Sequence, residues 1–468
     1  MALLEEYSAG VEIIQTINKG RGLIAGKRME TGQLILRQHP YAYVIMATHA
    51  QTVCHYCLAC PGQPDRPLVK QLLKCGGCKF ARYCNKECQK KAWTDHRPEC
   101  AAIKRVFPGQ PVDQTRMVGR ILWKRDQNLA KEEEVKIEDL VDHLSKRTKE
   151  ERGDLDEKVY SFGDYFTYDA MPESDDEMLH LFAIIDCNAV GLNDHKGLQS
   201  IGVGIYPMMS LLNHDCNPNC VATNNGVNLE LRALRPIEKD EELCISYVDS
   251  METREDRREK LSSQYYFDCE CNLCFNGGES EDLKHATAAE NMKEESVKYI
   301  NQFSKDMLKR INKTKERQNW ERMSNQVLGT LAQQDCVIAD TNVLKLSILN
   351  LAVEVQSFLR RQDSALQYAE RVAAAYEKLL PKIHPTLGMY LMRVGILQWQ
   401  LQKNEIAHQT LGKAASIISK TFGEDHSLFK ELLGLIHQCR MESHMSKNSQ
   451  REMRMAKKRA GLRLPEAF

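Results

Sequence analysis

The sequence predicts an α+β protein in which a β-rich unit is split by insertions and followed by a long all-α region. Three observations lead to this prediction. Short stretches rich in β-branched residues occur twice, at 11–46 and at 199–248. Between them lie a dense run of cysteines at 54–100 and helical patterns over about 101–187. From about 280 onward the chain has helical periodicity and almost no strand signal.

The composition favours no single class of partner. The chain has 468 residues, enough for several domains, and its 64 basic residues balance its 64 acidic ones, so any basic surface must be local. The first 30 residues lack a signal peptide pattern, and no stretch approaches the roughly 18 apolar residues of a membrane span. We therefore expect a soluble intracellular protein without a membrane partner. Its 17 cysteines suit metal sites better than disulfides.

The β-rich stretches divide into short strands. The first contains VEIIQTI, LIAGKRM, GQLILRQ and YAYVIM, with KGRG as a turn, and the second contains QSIGVGIYP, NCVATNNGVNLELRAL and ELCISYV. Between them, TRMVGRILWKRDQNLA and IEDLVDHLSKRT have the apolar spacing of amphipathic helices. Ser174 and Glu177 precede MLHLFAIIDCN as a capping box would.

The C-terminal region contains helix pairs, such as LKLSILNLAVEVQSFLRRQ followed by DSALQYAERVAAAYEKLL. A weak period of 42 residues relates His384 to His426 and Ala365 to Ala407. Small residues at this period suit close helix crossings, so the pattern predicts a helical repeat array of the tetratricopeptide type. An irregular helical bundle is the alternative.

Eight metal-binding side chains lie in four close pairs between residues 54 and 100. Two tetrahedral zinc sites need eight such ligands, and unconnected buried thiols would not show chelating separations. Because the segment has little apolar sequence, we expect closed structural sites that supply folding energy. Cys60 is a competing ligand. The eight are Cys54, Cys57, Cys75, Cys78, Cys84, Cys88, His96 and Cys100.

The same segment is basic. Between residues 70 and 97, eight basic side chains face two acidic ones, with Tyr83 and Trp93 among them. Such a surface suits contact with nucleic acid or with a proline-rich peptide. A solvated face on a small zinc module is the alternative.

A second cysteine cluster supplies three ligands and lacks a fourth. Its members are Cys269, Cys271 and Cys274. Cys216 in NHDCNPNC is our candidate for the fourth ligand, and Cys220 and Cys244 are alternatives on sequence alone. A three-ligand catalytic zinc is a further alternative, although no glutamate base stands at a fixed spacing.

Several motifs together resemble the SET and MYND domain family of protein lysine methyltransferases. They are KGRGL at 19–23, the eight-ligand module, NHDCNPN at 213–219, ELCISY at 242–247 and YYFDCECNLC at 265–274. Within that family the sequence is most similar to the striated-muscle member, through AIKRVFP, CNAVGLND, LQSIGVGIYP and ADTN.

The resemblance implies a domain order: SET N-terminal part (1–50), MYND zinc module (51–100), helical SET insert (101–187), SET core (188–250), post-SET zinc segment (251–278) and helical repeat domain (279–468). It also implies three zinc ions. One MYND site would use Cys54, Cys57, Cys84 and Cys88, and the other Cys75, Cys78, His96 and Cys100. The post-SET site would use Cys216, Cys269, Cys271 and Cys274.

The resemblance further implies that S-adenosyl-L-methionine is bound around the NH segment. Arg21 stands where the family often has Asn. Tyr247 and Tyr265 would line the substrate lysine channel, although packing in a β core is the ordinary role of such tyrosines. His214 is expected to support the cofactor loop through its backbone and not to act as a base. The implied cofactor contacts are Lys19, Arg21, Asn188, Ser210, Asn213, His214, Tyr247 and Phe267.

The same resemblance implies substrates, partners and location. It implies methylation of histone H3, myosin or other muscle proteins, with chaperones as partners, by a monomer in the cytoplasm, including the sarcomere, and in the nucleus. The C-terminal helices would narrow the substrate cleft. A protein of a different class, a non-catalytic adaptor or myosin chaperone cofactor built on the MYND and helical repeat domains, is the alternative.

Overall fold

The computed structural model describes residues 7–8, 10–16, 18–63, 69–106, 109, 112–126, 135–166, 174–195, 199–275 and 293–459. The chain forms two compact units. The first comprises Met1–Ser250, Arg254–Phe275 and Lys420–Leu428, and the second comprises Met251–Thr253, Asn276–Ser419 and Phe429–Phe468. The first unit mixes strands and helices, and the described part of the second contains helices alone, which confirms the α+β prediction.

Thirteen short strands lie in the described part of the first unit. They are β1 (Tyr7–Ser8), β2 (Val11–Thr16), β3 (Gly20–Ala25), β4 (Leu34–Gln38), β5 (Ala42–Ile45), β6 (Leu73–Lys74), β7 (Arg82–Tyr83), β8 (Ala189–Asn193), β9 (Ser200–Ile205), β10 (Asn213–His214), β11 (Cys220–Asn225), β12 (Asn228–Ala233) and β13 (Cys244–Ile245).

The sheets join the two β-rich stretches of the sequence. One antiparallel sheet has the order β1-β4-β12-β11, and another has the order β5-β9-β8. Strands β2 and β3 form a hairpin, β6 pairs with β7, and β10 runs parallel to β13. Because β4 pairs with β12 and β5 with β9, the early and late strands form one β unit despite the insertions between them.

Six helices lie among the described residues of the first unit. They are α1 (Lys86–Val106), α2 (Asp113–Asp126), α3 (Lys149–Tyr165), α4 (Asp175–Asn188), α5 (Arg254–Tyr265) and α6 (Asn272–Phe275), with short 3-10 helices at Ala47–His49, Ile137–Asp139, Leu144–Lys146 and Met209–Leu211. The apolar faces of α1 to α4 share one buried core with the β strands. Ser174 begins α4 by accepting a hydrogen bond from the Glu177 backbone at 3.3 Å.

The predicted amphipathic helix over IEDLVDHLSKRT was wrong. The structure has two separate 3-10 helices there, Ile137–Asp139 and Leu144–Lys146. The Asp142 side chain accepts the Leu144 backbone N–H at 3.0 Å, and His143 takes a left-handed φ of 52°. A side chain that bonds its neighbouring backbone competes with helical hydrogen bonds, which explains the interruption.

The segment Lys420–Leu428 covers the edge strand β11. Thr223 donates its hydroxyl to the Thr421 carbonyl at 3.3 Å. The His426 ring accepts the Leu428 backbone N–H at 3.1 Å, so its other nitrogen donates to the Asn224 carbonyl at 2.7 Å. These contacts satisfy edge groups that would otherwise remain unpaired.

The described helices of the second unit are α7 (Glu294–Glu316), α8 (Trp320–Gln334), α9 (Val343–Phe358), α10 (Gln362–Leu379), α11 (Pro385–Gln400), α12 (Asn404–Thr421) and α13 (Ser427–Arg459). The last two residues of α12 and the first two of α13 belong to the first unit. Helices α9, α11 and α13 begin 42 residues apart, directly after Asn342, His384 and His426. Each of these side chains accepts a backbone N–H from the first turn of its helix. This regular spacing supports a repeat array over an irregular bundle. Within the described residues, no helix combines the length and apolar character required to cross a membrane.

Candidate active site and metal centres

Three groups of four cysteine or histidine side chains come together in the first unit. In each group all ligand atoms lie within 4.8 Å of one another. Tetrahedral zinc with Zn–S bonds of about 2.3 Å places its sulfurs roughly 3.8 Å apart, so these donor sets fit three zinc ions. The groups are Cys54, Cys57, Cys84 and Cys88; Cys75, Cys78, His96 and Cys100; and Cys216, Cys269, Cys271 and Cys274.

Tight turns and one helix assemble the first two groups. Leu58 and Lys79, each one residue after a Cys-x2-Cys pair, have left-handed φ values of 61° and 59°, which bend the chain back toward the ligands. His96 and Cys100 lie four residues apart on α1 and therefore share one face. Cys60 lies outside the groups, with its sulfur 3.9 Å from the His195 ring.

A fully buried carboxylate, Glu99, orients the histidine of the second group. The His96 Nε2 atom faces the cysteines, 3.6 Å from the Cys78 sulfur, and its Nδ1 atom lies 3.1 Å from Glu99. Burial alone would raise the pKa of Glu99, but the guanidinium groups of Arg120 and Arg116 hold it well below its usual range. The carboxylate is therefore charged, and a carboxylate behind a metal-binding histidine fixes its ring orientation and tautomer.

Glu99 also connects the second group to the β unit. Arg116 and Arg120 bond Glu99 at 3.0 and 2.6 Å, and Arg120 also donates to the Tyr43 carbonyl of β5 at 2.8 Å. The two arginines stand on α2, whose buried face packs against β5. The zinc module is thus joined to the β unit through paired buried charges.

The third group lies in its own small apolar cluster, with Leu261 of α5 at its centre. The Cys216 and Cys274 sulfurs are 3.5 Å apart, and the fully buried Arg257 guanidinium lies 3.9 Å from the Cys274 sulfur. A nearby cation balances the negative charge of thiolate ligands. Of the three candidates for the fourth ligand, the structure places Cys216 here and leaves Cys220 and Cys244 on β11 and β13, outside the group.

The NHDCNPNC segment runs beside the later strand β13. Asn213 and His214 pair in parallel with Cys244 and Ile245. Asn219 stabilises this strand pair, because its side chain accepts the Cys244 N–H at 2.9 Å and donates to the Glu242 carbonyl at 2.8 Å. The Asn219 side chain therefore holds two remote parts of the chain together.

The His214 ring joins the third cysteine group to the neighbouring aromatic residues. Burial lowers the pKa of His214 to about 4, so the ring is neutral at pH 7. Its Nδ1 atom accepts the Tyr247 backbone N–H at 3.0 Å, which leaves Nε2 to donate to the Cys216 sulfur at 3.3 Å. Contact of the His214 backbone with a cofactor stays a prediction, and the structure shows in addition that the ring links Cys216 to Tyr247.

Glu242 gathers the polar residues of the β2–β3 hairpin and β10. It bonds Lys19 at 2.8 Å and the Asn213 amide at 2.9 Å, and Asn213 also donates to the Arg21 carbonyl at 3.2 Å. Burial lowers the pKa of Lys19, but the Glu242 carboxylate outweighs it and the pKa lies above its usual value. Lys19 therefore remains a cation at the rim of this site.

Four aromatic rings lie together at the end of the β10–β13 strand pair. The Tyr247 ring lies 4.8 Å from Tyr265, 5.3 Å from His214 and 6.4 Å from Phe267. The Tyr247 hydroxyl donates to the Leu212 carbonyl, so its oxygen keeps its lone pairs free to accept. Burial raises the pKa of Tyr247 well above its usual value, which keeps the hydroxyl protonated at neutral pH.

The remaining predicted cofactor residues bond to backbone groups nearby. Arg21 donates to the Asp139 carbonyl, and Ser210 donates to the Tyr206 carbonyl at 3.0 Å. The Asn188 amide donates to the Val141 and Ile184 carbonyls, both at 2.9 Å, at the end of α4. Contact of these three side chains with a cofactor stays a prediction.

Three residues of the site were not selected from the sequence: Glu99, Glu242 and Arg257. Glu99 could have been found, because HRPEC places it three residues after His96 on a helix, within reach of the same ring. Glu242 and Arg257 lie in ordinary charged stretches, and only the folded chain brings Glu242 to Lys19 and Arg257 to Cys274.

Comparison with known proteins places these features in a family. The sequence model of the SET domain matches residues 20–248. The histone-lysine N-methyltransferase Smyd1 of Mus musculus is 35% identical over 94% of this chain and 91% of its own length. The histone-lysine N-methyltransferase SMYD3 of Mus musculus is 33% identical over 92% of this chain and 97% of its length. The N-lysine methyltransferase SMYD2-A of Xenopus laevis is 27% identical over 90% and 97%.

Proposed function

This chain belongs to the SET domain family, among the SMYD lysine methyltransferases, and we propose that it methylates lysine side chains of histones and muscle proteins. It is an S-adenosylmethionine-dependent protein lysine N-methyltransferase. One observation supports the site of reaction above all: the Tyr247 hydroxyl lies where β10 and β13 cross, among three other aromatic rings.

The protein must accept a lysine in its neutral form. A free lysine has a pKa of about 10.4, so deprotonating it at pH 7 costs roughly 4–5 kcal/mol. Entry into a channel lined by aromatic rings such as Tyr247 and Tyr265 removes water and lowers that pKa. Because the Tyr247 hydroxyl is protonated, it does not serve as the base. Desolvation of the substrate lysine lowers its pKa, so no strong base is required.

Tyr247 orients the reacting groups. Its O–H is committed to the Leu212 carbonyl, so its oxygen is left to accept a hydrogen bond from the amine or a weak contact from a polarised methyl. The bond fixes the hydroxyl in advance, and a donor or acceptor that needs no reorganisation contributes most in a water-poor site.

S-adenosylmethionine supplies an electrophilic methyl group on a sulfonium centre. We assign its binding to the surface around Asn213, His214 and Phe267, with Lys19 at the rim, and we place Arg21, Asn188 and Ser210 in the same set. The three zinc ions have a structural role, because each cysteine group supplies four ligands and leaves no open position.

Substrate choice and location extend this proposal. The relatives named above are histone-lysine and N-lysine methyltransferases. From the resemblance to the striated-muscle member we propose histone H3 and muscle proteins such as myosin as substrates, with chaperones as partners. We place a monomeric enzyme in the nucleus and in the cytoplasm, including the sarcomere.

Transfer of radiolabelled methyl from S-adenosylmethionine to histones and to muscle lysate tests the proposal. Tyr247→Phe removes only the hydroxyl, so we expect labelling to fall roughly a hundredfold while the zinc content stays the same. Calorimetry measures cofactor binding separately. Equal labelling by the variant would contradict the role of Tyr247, and cofactor binding without labelling by either protein would favour the adaptor alternative.

A further inference from the structure

One residue, Tyr266, separates the tyrosine of the substrate channel from the phenylalanine of the cofactor surface. It directly follows helix α5 and has a φ of 58°, in the left-handed region that bulky side chains rarely adopt. Its neighbours Tyr265 and Phe267 both pack on Tyr247, at 4.8 and 6.4 Å between ring centroids. The backbone angle at Tyr266 therefore sets where both neighbouring rings lie.

The segment between residues 143 and 151 holds Tyr266 by its ring and its carbonyl. The His143 ring lies 5.3 Å from the Tyr266 ring, and the Arg147 guanidinium lies 5.6 Å from the centre of the same ring. The Lys146 ammonium donates to the Tyr266 carbonyl at 2.9 Å. Such contacts stabilise a backbone conformation that would otherwise be disfavoured.

The hydroxyl of Tyr266 is bound as well. It donates to one oxygen of Glu151 at 3.2 Å, and the other oxygen accepts the Thr148 N–H at 2.7 Å in the capping box of α3. Arg147 is fixed from its far side by Asp186 of α4 at 3.1 Å. Two of the side chains that contact Tyr266 are therefore also held by helices, Glu151 in the first turn of α3 and Arg147 by Asp186 of α4.

We propose that Tyr266 is a positioning residue that couples the helical insert to the lysine channel and the cofactor surface at once. This inference rests on the methyltransferase function proposed above. Contacts from residues 143–151 keep Tyr266 left-handed, and that angle places Tyr265 toward the substrate and Phe267 toward the cofactor. Loosening Tyr266 disturbs both binding steps, whereas a residue important only for folding would change the amount of active protein.

Variants of the full-length protein separate backbone angle from contacts. Tyr266→Gly can adopt the left-handed angle but loses the ring and hydroxyl contacts that hold it there, so the angle is no longer fixed. We expect about a tenfold rise both in the Kd of S-adenosylmethionine and in the KM of a lysine peptide. Tyr266→Phe keeps the ring contacts, so we expect its Kd and its KM to stay close to the wild-type values. Lys146→Met removes the bond to the Tyr266 carbonyl and should raise both constants, whereas Lys149→Met, an exposed lysine nearby, should change neither.

Calorimetry gives the cofactor Kd without any turnover, and steady-state kinetics gives KM and kcat. Wild-type Kd and KM in Tyr266→Gly would overturn the inference, as would a loss of kcat that follows the folded fraction while both constants stay unchanged. If the wild type binds the cofactor but methylates nothing, the proposed function fails, and the Kd comparison still decides the role of Tyr266.

Discussion

The buried carboxylate Glu99 gives the most direct test of how the zinc module is joined to the β unit. Glu99→Gln preserves the shape of the side chain and removes its charge. Arg116, which is fully buried, and Arg120, which is 8% exposed, then lose their shared counter-ion. The new amide also places an N–H group beside the arginine and histidine donors, so the bond that orients the His96 ring is weakened.

The size of the effect follows from the burial. Removing one partner of a buried ion pair costs about 3–5 kcal/mol, because the other charge remains in a site that water does not reach. Domains of this kind are stable by roughly 5–15 kcal/mol in total, so the loss should be visible in denaturation. Loss of the carboxylate behind His96 should also weaken zinc binding by about 10–100-fold.

Urea denaturation and zinc transfer to a coloured chelator measure the two effects. Glu87→Gln is the matched control, because this exposed glutamate pairs with Lys91 on the same helix and should matter little. We expect Glu99→Gln to unfold at lower urea and to release one zinc ion faster than the other two. Unchanged denaturation and unchanged zinc release in this variant would refute the argument that Glu99 joins the two parts.

Three further predictions use other parts of the molecule. Cys216→Ser should reduce the zinc content from three ions to two and weaken cofactor binding, whereas Cys220→Ser, also buried, should keep three; equal zinc content in both would contradict the assignment. Gly423→Ala, at a φ of 91° and against an arginine guanidinium, should cost at least about 1–2 kcal/mol in thermal denaturation, whereas Gly412→Ala in an open helical position should not destabilise. Glu242→Gln should raise the cofactor Kd roughly fivefold by calorimetry, since it loses about 1 kcal/mol of partly screened charge pairing.

Local spacing explains which parts of the site were predictable. Close pairs such as Cys75 and Cys78 predict a metal site, because their short separation along the chain keeps the two side chains close in space. The choice of Cys216 over Cys220 and Cys244 has no local cause. It depends on the packing of Cys216 with Leu261 of α5 and with Cys274, which lies 58 positions further along the chain. From the residues alone these alternatives stayed open, and only the resemblance selected one.

The same limit applies to secondary structure. The 42-residue period was detectable because each repeat begins with a side chain that caps its own helix, as His384 does for α11. The failure at 137–148 has the opposite origin. The apolar spacing there is helical, but Asp142 bonds both its own neighbouring backbone and the His180 side chain, at 2.7 Å, on α4. A partner 38 residues away decided the conformation, and no local pattern contains that information.

The hydrogen bonds that link Cys216 to Tyr247 through the His214 ring explain why a structural zinc site lies beside Tyr247. The neutral His214 ring donates to the Cys216 sulfur and accepts from the Tyr247 backbone, so the position of Tyr247 depends on where that sulfur is held. Zinc fixes a thiolate more rigidly than packing fixes a free thiol, because its bond lengths and angles are set by coordination. Removal of the third zinc ion should therefore loosen the Tyr247 backbone before it unfolds the first unit. Amide exchange at Tyr247 that stays slow after selective loss of that ion would show that the strand pairing alone positions the tyrosine.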